Sequence, residues 1–200
     1  AGDGLEPLLL VHVVADQDIG VYALSQAQTT SDAFLVLPTR VLGTDYYVMA
    51  YNSDGKANGN TVNVSSSTPS QFAVLATEDN TTITVTPKTA TYINNLTPQT
   101  ITLNQGESYL VQAKITPQNP RSDLTGSHVT STKPVAVFAG QQRAIVPVEL
   151  ADSLISRDCL IEQVPPVGTW GKNAFLTPYP LPQGATRLGQ DMYRILAAYD

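Results

Sequence analysis

The chain offers few residues for chemistry: two histidines, one cysteine and 17 acidic side chains among 200 residues. The densest polar group is Glu78-Asp79-Asn80, set between the apolar run "VLAT" and the alternating run "TTITV". Asp and Asn hydrogen-bond their own backbone and tolerate left-handed geometry, so the triplet reads first as a tight hairpin turn. Calcium needs several oxygens converging on one point, which three loop residues cannot supply unless Asp16, Asp18 or Asp45 joins them. A calcium site and a direct ligand contact are the alternatives there, and no other cofactor is implied. Asn63, Asn80 and Asn95 each open an N-x-S/T sequon and would accept glycans in a source with the machinery.

His12 and His128 occupy matched positions in two similar stretches, and each reads as the start of a strand with a structural hydrogen bond. A shared metal or catalytic role is the sharper alternative. Ser127 is only a sequence neighbour of His128, there is no G-x-S-x-G elbow, and no spacing singles out a pair of carboxylates. Cys159 has no second cysteine to bond, so it reads as a buried thiol or as half of a disulfide to a segment outside the chain. Trp170, between glycines in "VGTWGKN", is either an exposed anchor for a partner or a plug packed back on the sheet. Tyr46 and Tyr47 must point to opposite faces of one strand. The repeat described below matches Tyr47 to Phe175, which puts Tyr47 on the core side and Tyr46 outward as a binding ring. Gly43, Gly126 and Gly171 read as turn residues, because no glycine-rich strand-to-helix loop exists.

The elements positioning these residues are strands. Period-2 segments rich in β-branched and aromatic residues recur at Ile19–Leu24, Ala33–Leu37, Tyr46–Tyr51, Phe72–Thr77, Thr82–Thr86, Thr100–Leu103, Ser108–Ala113, Pro134–Ala139, Ala174–Tyr179 and Met192–Ala198. The nearest approach to a helical stripe is Val148–Arg157, where Leu150, Leu154 and Ile155 share a face. Fourteen prolines fall mostly in the connections. Eleven basic side chains against 17 acidic ones leave a net charge of −6 with no basic cluster, which excludes nucleic acid and anionic membrane as expected partners. The longest apolar stretch, Leu8–Ala15, is far short of the roughly 20 residues of a membrane helix. The chain starts without Met and stops mid-pattern at "AAYD", as a processed or excised piece would.

An internal repeat organises the chain. "HVVADQDIGVYA" at 12–23 aligns with "HVTSTKPVAVFA" at 128–139, a shift of 116. "LPTRVLGTDYYVMAY" at 37–51 aligns with "PPVGTWGKNAFLTPY" at 165–179, a shift of 128, and "FAVLATED" at 72–79 with "YRILAAYD" at 193–200, a shift of 121. Three blocks recur in one order, so the expected architecture is all-β: antiparallel, β-sandwich-like sheets built by duplication of a unit of about 116 residues. The first copy would occupy 1–127, with its complete unit at 12–127. The second, 128–200, is truncated before its "NTTITV"-like strand. Two separate sandwiches and one interleaved body both fit.

The phrases "FLVLPTRVLGTDYYVMAY", "FAVLATEDNTTITVTP", "ITLNQGESYLVQA", "DLTGSHVTSTKPVAVFAG", "LIEQVPPVGTWG" after Cys159, and "YRILAAYD" span nearly the whole chain. In their order and wording the sequence resembles the N-terminal domain family named after IgG-Fc-binding protein. The resemblance implies a secreted, non-enzymatic, β-rich module of large adhesive or mucus-like proteins; immunoglobulin binding is attributed to the animal protein and need not extend to this chain. The expected function is extracellular binding of a protein or glycan partner, with Tyr46, Trp170 and Glu78-Asp79-Asn80 as candidate contacts. The alternative is a structural subunit of a filament, sheath or adhesive assembled by strand pairing between copies, and a hydrolase is the third class.

Overall fold

A computed structural model describes residues 4–6, 11–63, 66–150, 156–178 and 191–199. The fold is all-β and antiparallel. The strands are β1 (Gly4–Glu6), β2 (Val21–Ala27), β3 (Thr30–Val36), β4 (Gly43–Tyr47), β5 (Ala57–Asn58), β6 (Thr61–Val62), β7 (Ser70–Ala76), β8 (Thr81–Thr86), β9 (Gln99–Leu103), β10 (Ser108–Gln112), β11 (His128–Ala144) and β12 (Asp158–Val164).

β11 is the centre of the fold. Its first residues, 128–131, lie between β4 and β8, Val135 lies between β4 and β7, and 137–141 lie between β7 and β12. The handover falls at "STKP", because Pro134 has no N–H for a ladder. Two side-chain bonds bridge the gap instead: Thr82 N–H donates to Thr132 Oγ1 at 3.0 Å, and Thr77 Oγ1 donates to the Pro134 carbonyl at 2.6 Å. β11 thus joins one leaf, β1-β10-β7-β11-β12, to another, β4-β11-β8-β9. Strand alternation turns Phe72, Val74 and Ala76 of β7, Ile83 and Val85 of β8, and Val129, Val135 and Val137 of β11 into one core, closed by Tyr46, Leu103 and Val111. Gly140 is required by the β11–β12 approach, since a Cβ there would sit 1.8 Å from the Leu160 carbonyl oxygen.

Several expectations change. β7 and β8 do not pair: β7 bonds to β10 and β11, and β8 to β9 and β11. Glu78-Asp79-Asn80 therefore turns the chain between the two leaves rather than within a hairpin. β11 starts six residues before the Pro134–Ala139 segment, and β12 was not anticipated because "DCLIEQV" mixes acids and amides into a short apolar run. Residues 174–178 and 192–198, which read as strands, carry none. At the proposed helix, only a 3-10 turn at Val148–Leu150 is observed; Leu154 and Ile155 lie outside the described residues, as do Tyr179 and Asp200.

Two local geometries recur at the offsets read from the repeat. Shifting the first five β2–β3 pairs by 116 and 128 reproduces the β11–β12 register, from Val21↔Val36 becoming Val137↔Val164 to Ser25↔Asp32 becoming Gln141↔Leu160; beyond Gln141 an irregularity in β11 ends the match. The 3-10 turns Thr39–Val41 and Val167–Thr169 also correspond, each entered through a proline with φ −67°. The two stretches 1–127 and 128–200 nonetheless share one body, because β11 of the second is the central strand among β4, β7 and β8 of the first.

Candidate functional site

The two tyrosines of β4 take the opposite faces to those expected. Tyr46 is 0% exposed; its hydroxyl accepts the Gly43 N–H at 2.9 Å and donates to the Val135 carbonyl at 2.6 Å, and burial pushes the phenol up from its ordinary value. A ring so enclosed offers no binding surface. The aromatic match of Tyr47 to Phe175 was misread as a core signal, for Tyr47 is half-exposed and Phe175 is fully exposed.

Around Tyr47 the fold assembles a platform. Alternation along β4 puts Asp45 on the same face, and the β4–β11 register sets His128 opposite Tyr47. The Tyr47 and His128 rings stack with centroids 4.5 Å apart and planes 12° from parallel, and His128 Nε2 lies 2.7 Å from Asp45 Oδ1. Trp170 brings a third ring, 6.4 Å from Tyr47 and tilted by 52°. It is held by the 3-10 turn before it, its indole N–H donating to the Pro165 carbonyl at 3.1 Å. That turn seats close to β4 because residue 43 is glycine: a Cβ there would meet the Pro166 ring at 2.8 Å. Trp170 is thus half-exposed and packed against Tyr47 at once, combining the two readings of it. His128 does open a strand with a structural hydrogen bond, as expected, whereas His12 is exposed and lies in no strand.

The arrangement suits stacking and hydrogen bonding to a partner. Ser127, the sequence neighbour of His128, is buried, and its hydroxyl oxygen accepts the Lys88 N–H at 3.0 Å, so it is held as a structural group. Cys159 is a free, half-buried thiol on β12 whose N–H donates to Thr30 Oγ1 at 2.7 Å.

Glu78, Asp79 and Asn80 are exposed, and the chain's own groups engage them. Asn80 adopts φ 54°, the left-handed geometry that favours Asn at a turn. Asp79 Oδ1 accepts the Gln105 N–H at 3.0 Å, Lys133 Nζ donates to the Asp79 carbonyl at 2.6 Å, and Lys133 lies 3.9 Å from Glu78. Asp18 lies against Arg40 and Asp45 against His128. Among the described residues, no three His, Cys, Asp or Glu side chains converge as a metal site. Asn80 and Asn95 are exposed with positive φ, and Asn63 is exposed beside residues outside the description.

Two polar centres had no signal in the sequence. Asp54 is buried and meets Arg121 at 2.8 Å, Lys56 at 3.3 Å and Arg157. Burial alone would raise its carboxyl, but the bonds from Arg157 and Arg121, with Lys56 nearby, hold it below its ordinary value. Lys56 is two residues away, but Arg121 and Arg157 come from distant parts of the chain, and spacing does not show them. The second is a cleft of about 200 Å³ over the paired strands β11 and β12, lined by Asp32, Met49, Tyr51, Gly140, Leu160 and Glu162. Burial, then the charge of Asp32, pushes the Glu162 carboxyl up.

Among the described residues, no helix is long and apolar enough to cross a membrane. The family model described as IgGFc binding protein matches residues 32–200. The human IgGFc-binding protein is 26% identical over 193 residues, covering 94% of this chain, and the chain spans about 3% of that relative's length. No solved structure matches. With most of its length matched, and with the quoted phrases spread from β3 to the last residues, the chain belongs to the IgGFc-binding protein family.

Proposed function

We propose that this chain is a secreted, non-enzymatic binding module that takes a glycan on the platform of Tyr47, His128 and Trp170. The observation carrying this is the half-exposed stack of Tyr47 on His128, with Trp170 beside it and Asp45 at its edge. Aromatic faces give large contact area at small entropy cost, and the Asp45–His128 pair gives hydroxyl groups a donor and an acceptor. A glycan array probed with the wild type and with Tyr47→Ala tests it, with a pull-down of IgG Fc in parallel. Array signal lost in the variant, at unchanged unfolding midpoint, supports the reading. Signal that survives Tyr47→Ala, or Fc capture with a blank array, overturns it in favour of another surface or a protein ligand. In this reading Glu78-Asp79-Asn80 turns the chain without calcium, and Asn80 and Asn95 are the accessible glycan acceptors.

A second reading, assembly between copies, is favoured by a specific observation. Large apolar side chains lie exposed at Val11, Val13, Val14 and Ile19, at Phe175 and Leu176, and at Tyr193 and Ile195. We also read the chain as the duplication set out above, 1–127 and 128–200, with the shared hairpin register and 3-10 turns as its support.

A further inference from the structure

Several of the exposed apolar residues align in the repeat with buried ones: Val13 with Val129, Ile19 with Val135, Leu176 with Val48, Tyr193 with Phe72 and Ile195 with Val74. In the first copy, the blocks containing β4 and β7 are completed by β11, which is the first block of the second copy. The second copy's own versions of those blocks, 171–178 and 192–198, form no strand among the described residues. The first copy's first block is open in the complementary way: residues 11–20 are in no strand, and β2 pairs with β3 alone.

From this juxtaposition we propose that the first block of one molecule docks on the second copy of another, head to tail, as β11 docks on β4 and β7. The inference rests on the duplication reading. Moving the observed ladder Val135↔Ala76, Val137↔Val74, Ala139↔Phe72 back by 116 on one strand and forward by 121 on the other gives Ile19↔Ala197, Val21↔Ile195 and Ala23↔Tyr193. Every residue in the row is apolar, as a strand face entering a core requires. Moving His128↔Tyr47 and Val129↔Tyr46 in the same manner, by 116 and 128, gives His12↔Phe175 and Val13↔Ala174. His12, idle within its own molecule, then stacks on Phe175 of the second molecule as His128 stacks on Tyr47. The occupant is a second copy because its first block is the counterpart of the strand already seated at the equivalent place in this chain. Arg194 holds the acceptor segment on the body through the Ala50 carbonyl, Asp123 and the Tyr51 ring, 5.4 Å away.

Cysteine trapping tests the register. In a Cys159→Ser background, chains carrying Val21→Cys are mixed with chains carrying Ile195→Cys and oxidised, with Val21→Cys plus Ala198→Cys as the off-register control. Directly opposed residues of an antiparallel pair lie within disulfide reach. The expected result is a covalent heterodimer several-fold above control, and a ladder of oligomers from chains carrying both cysteines. Heterodimer at control level, in chains with wild-type unfolding midpoints, overturns the proposal. So does an internal disulfide alone in the double variant, which would make the molecule's own first block the occupant. A labelled peptide of residues 128–141 separates this failure from that of the duplication. If the peptide binds and the copies do not cross-link, the acceptor site stands and the second copy is not its occupant; if neither occurs, both readings fall.

Discussion

Val74 and Ile195 align in the proposed repeat, yet Val74 is 0% exposed and Ile195 is 87% exposed. Val129 and Val13 differ in the same sense, at 0% and 51%. The side chains and their alternation are nearly alike; what differs is whether a strand lies alongside. A period-2 apolar pattern therefore specifies a face that can be buried, and only a neighbour buries it. The hairpins make the point from the other side. β2–β3 and β11–β12 keep one register because each hairpin contains its own partner.

The largest expected effect breaks this contrast at its buried member. Val74→Asp puts an unpaired charge in the core and costs about 4 kcal/mol or more, enough to unfold the chain in urea titration. Next comes Asp54→Ala, which leaves the Arg157, Arg121 and Lys56 cluster without its buried anion and costs about 3 kcal/mol by the same measurement. Asp54 also sets an acid limit. Its folded carboxyl titrates below the unfolded value, so its stabilisation is complete above the unfolded value of 3.8 and is lost as pH falls through the lower folded one. Urea midpoints of the wild type should fall in that acid range, and those of Asp54→Asn should fall less steeply.

Within β4, the two tyrosines give a smaller version of the same comparison. Tyr46→Phe strips the partner from the Gly43 N–H and the Val135 carbonyl and costs about 2 kcal/mol, whereas Tyr47→Phe stays within about 0.5 kcal/mol. Gly43→Ala forces the Pro166 turn outward at a cost of about 1 kcal/mol. Because Trp170 is the sole tryptophan, its fluorescence should shift to the red as it leaves Tyr47. The smallest effect sharpens the opening contrast: Ile195→Asp should leave the isolated chain within about 0.5 kcal/mol of wild type. In chains trapped through the next pair of the row, Ala23→Cys with Tyr193→Cys, the same change should abolish the covalent heterodimer.

Much of the fold could be read from local pattern. β7, β8, β9 and β10 stand within two residues of their expected bounds, since each alternates cleanly and is flanked by turn residues. The candidate site was legible only in part. Trp170 was singled out for its type, but the choice between Tyr46 and Tyr47 failed. An aromatic matched to an aromatic says that two positions share a role without saying whether the role is inside or outside. Asp45 and His128 were visible individually, and nothing in an 83-residue separation announces a 2.7 Å contact. The meeting of Asp54 with Arg121 and Arg157 was illegible for the same reason.

By itself the sequence determined the strand class, the turn chemistry at Asn80 and the kinship with the family. Each of these resides in short-range order, where side-chain period and backbone preference act over a few residues. Tertiary structure alone decided that β7 and β8 share one core without pairing with each other, that β11 serves both leaves, and that Tyr47 joins His128 and Trp170. These are questions of which strand lies beside which, and burial of apolar faces and satisfaction of backbone hydrogen bonds settle them for the whole chain at once.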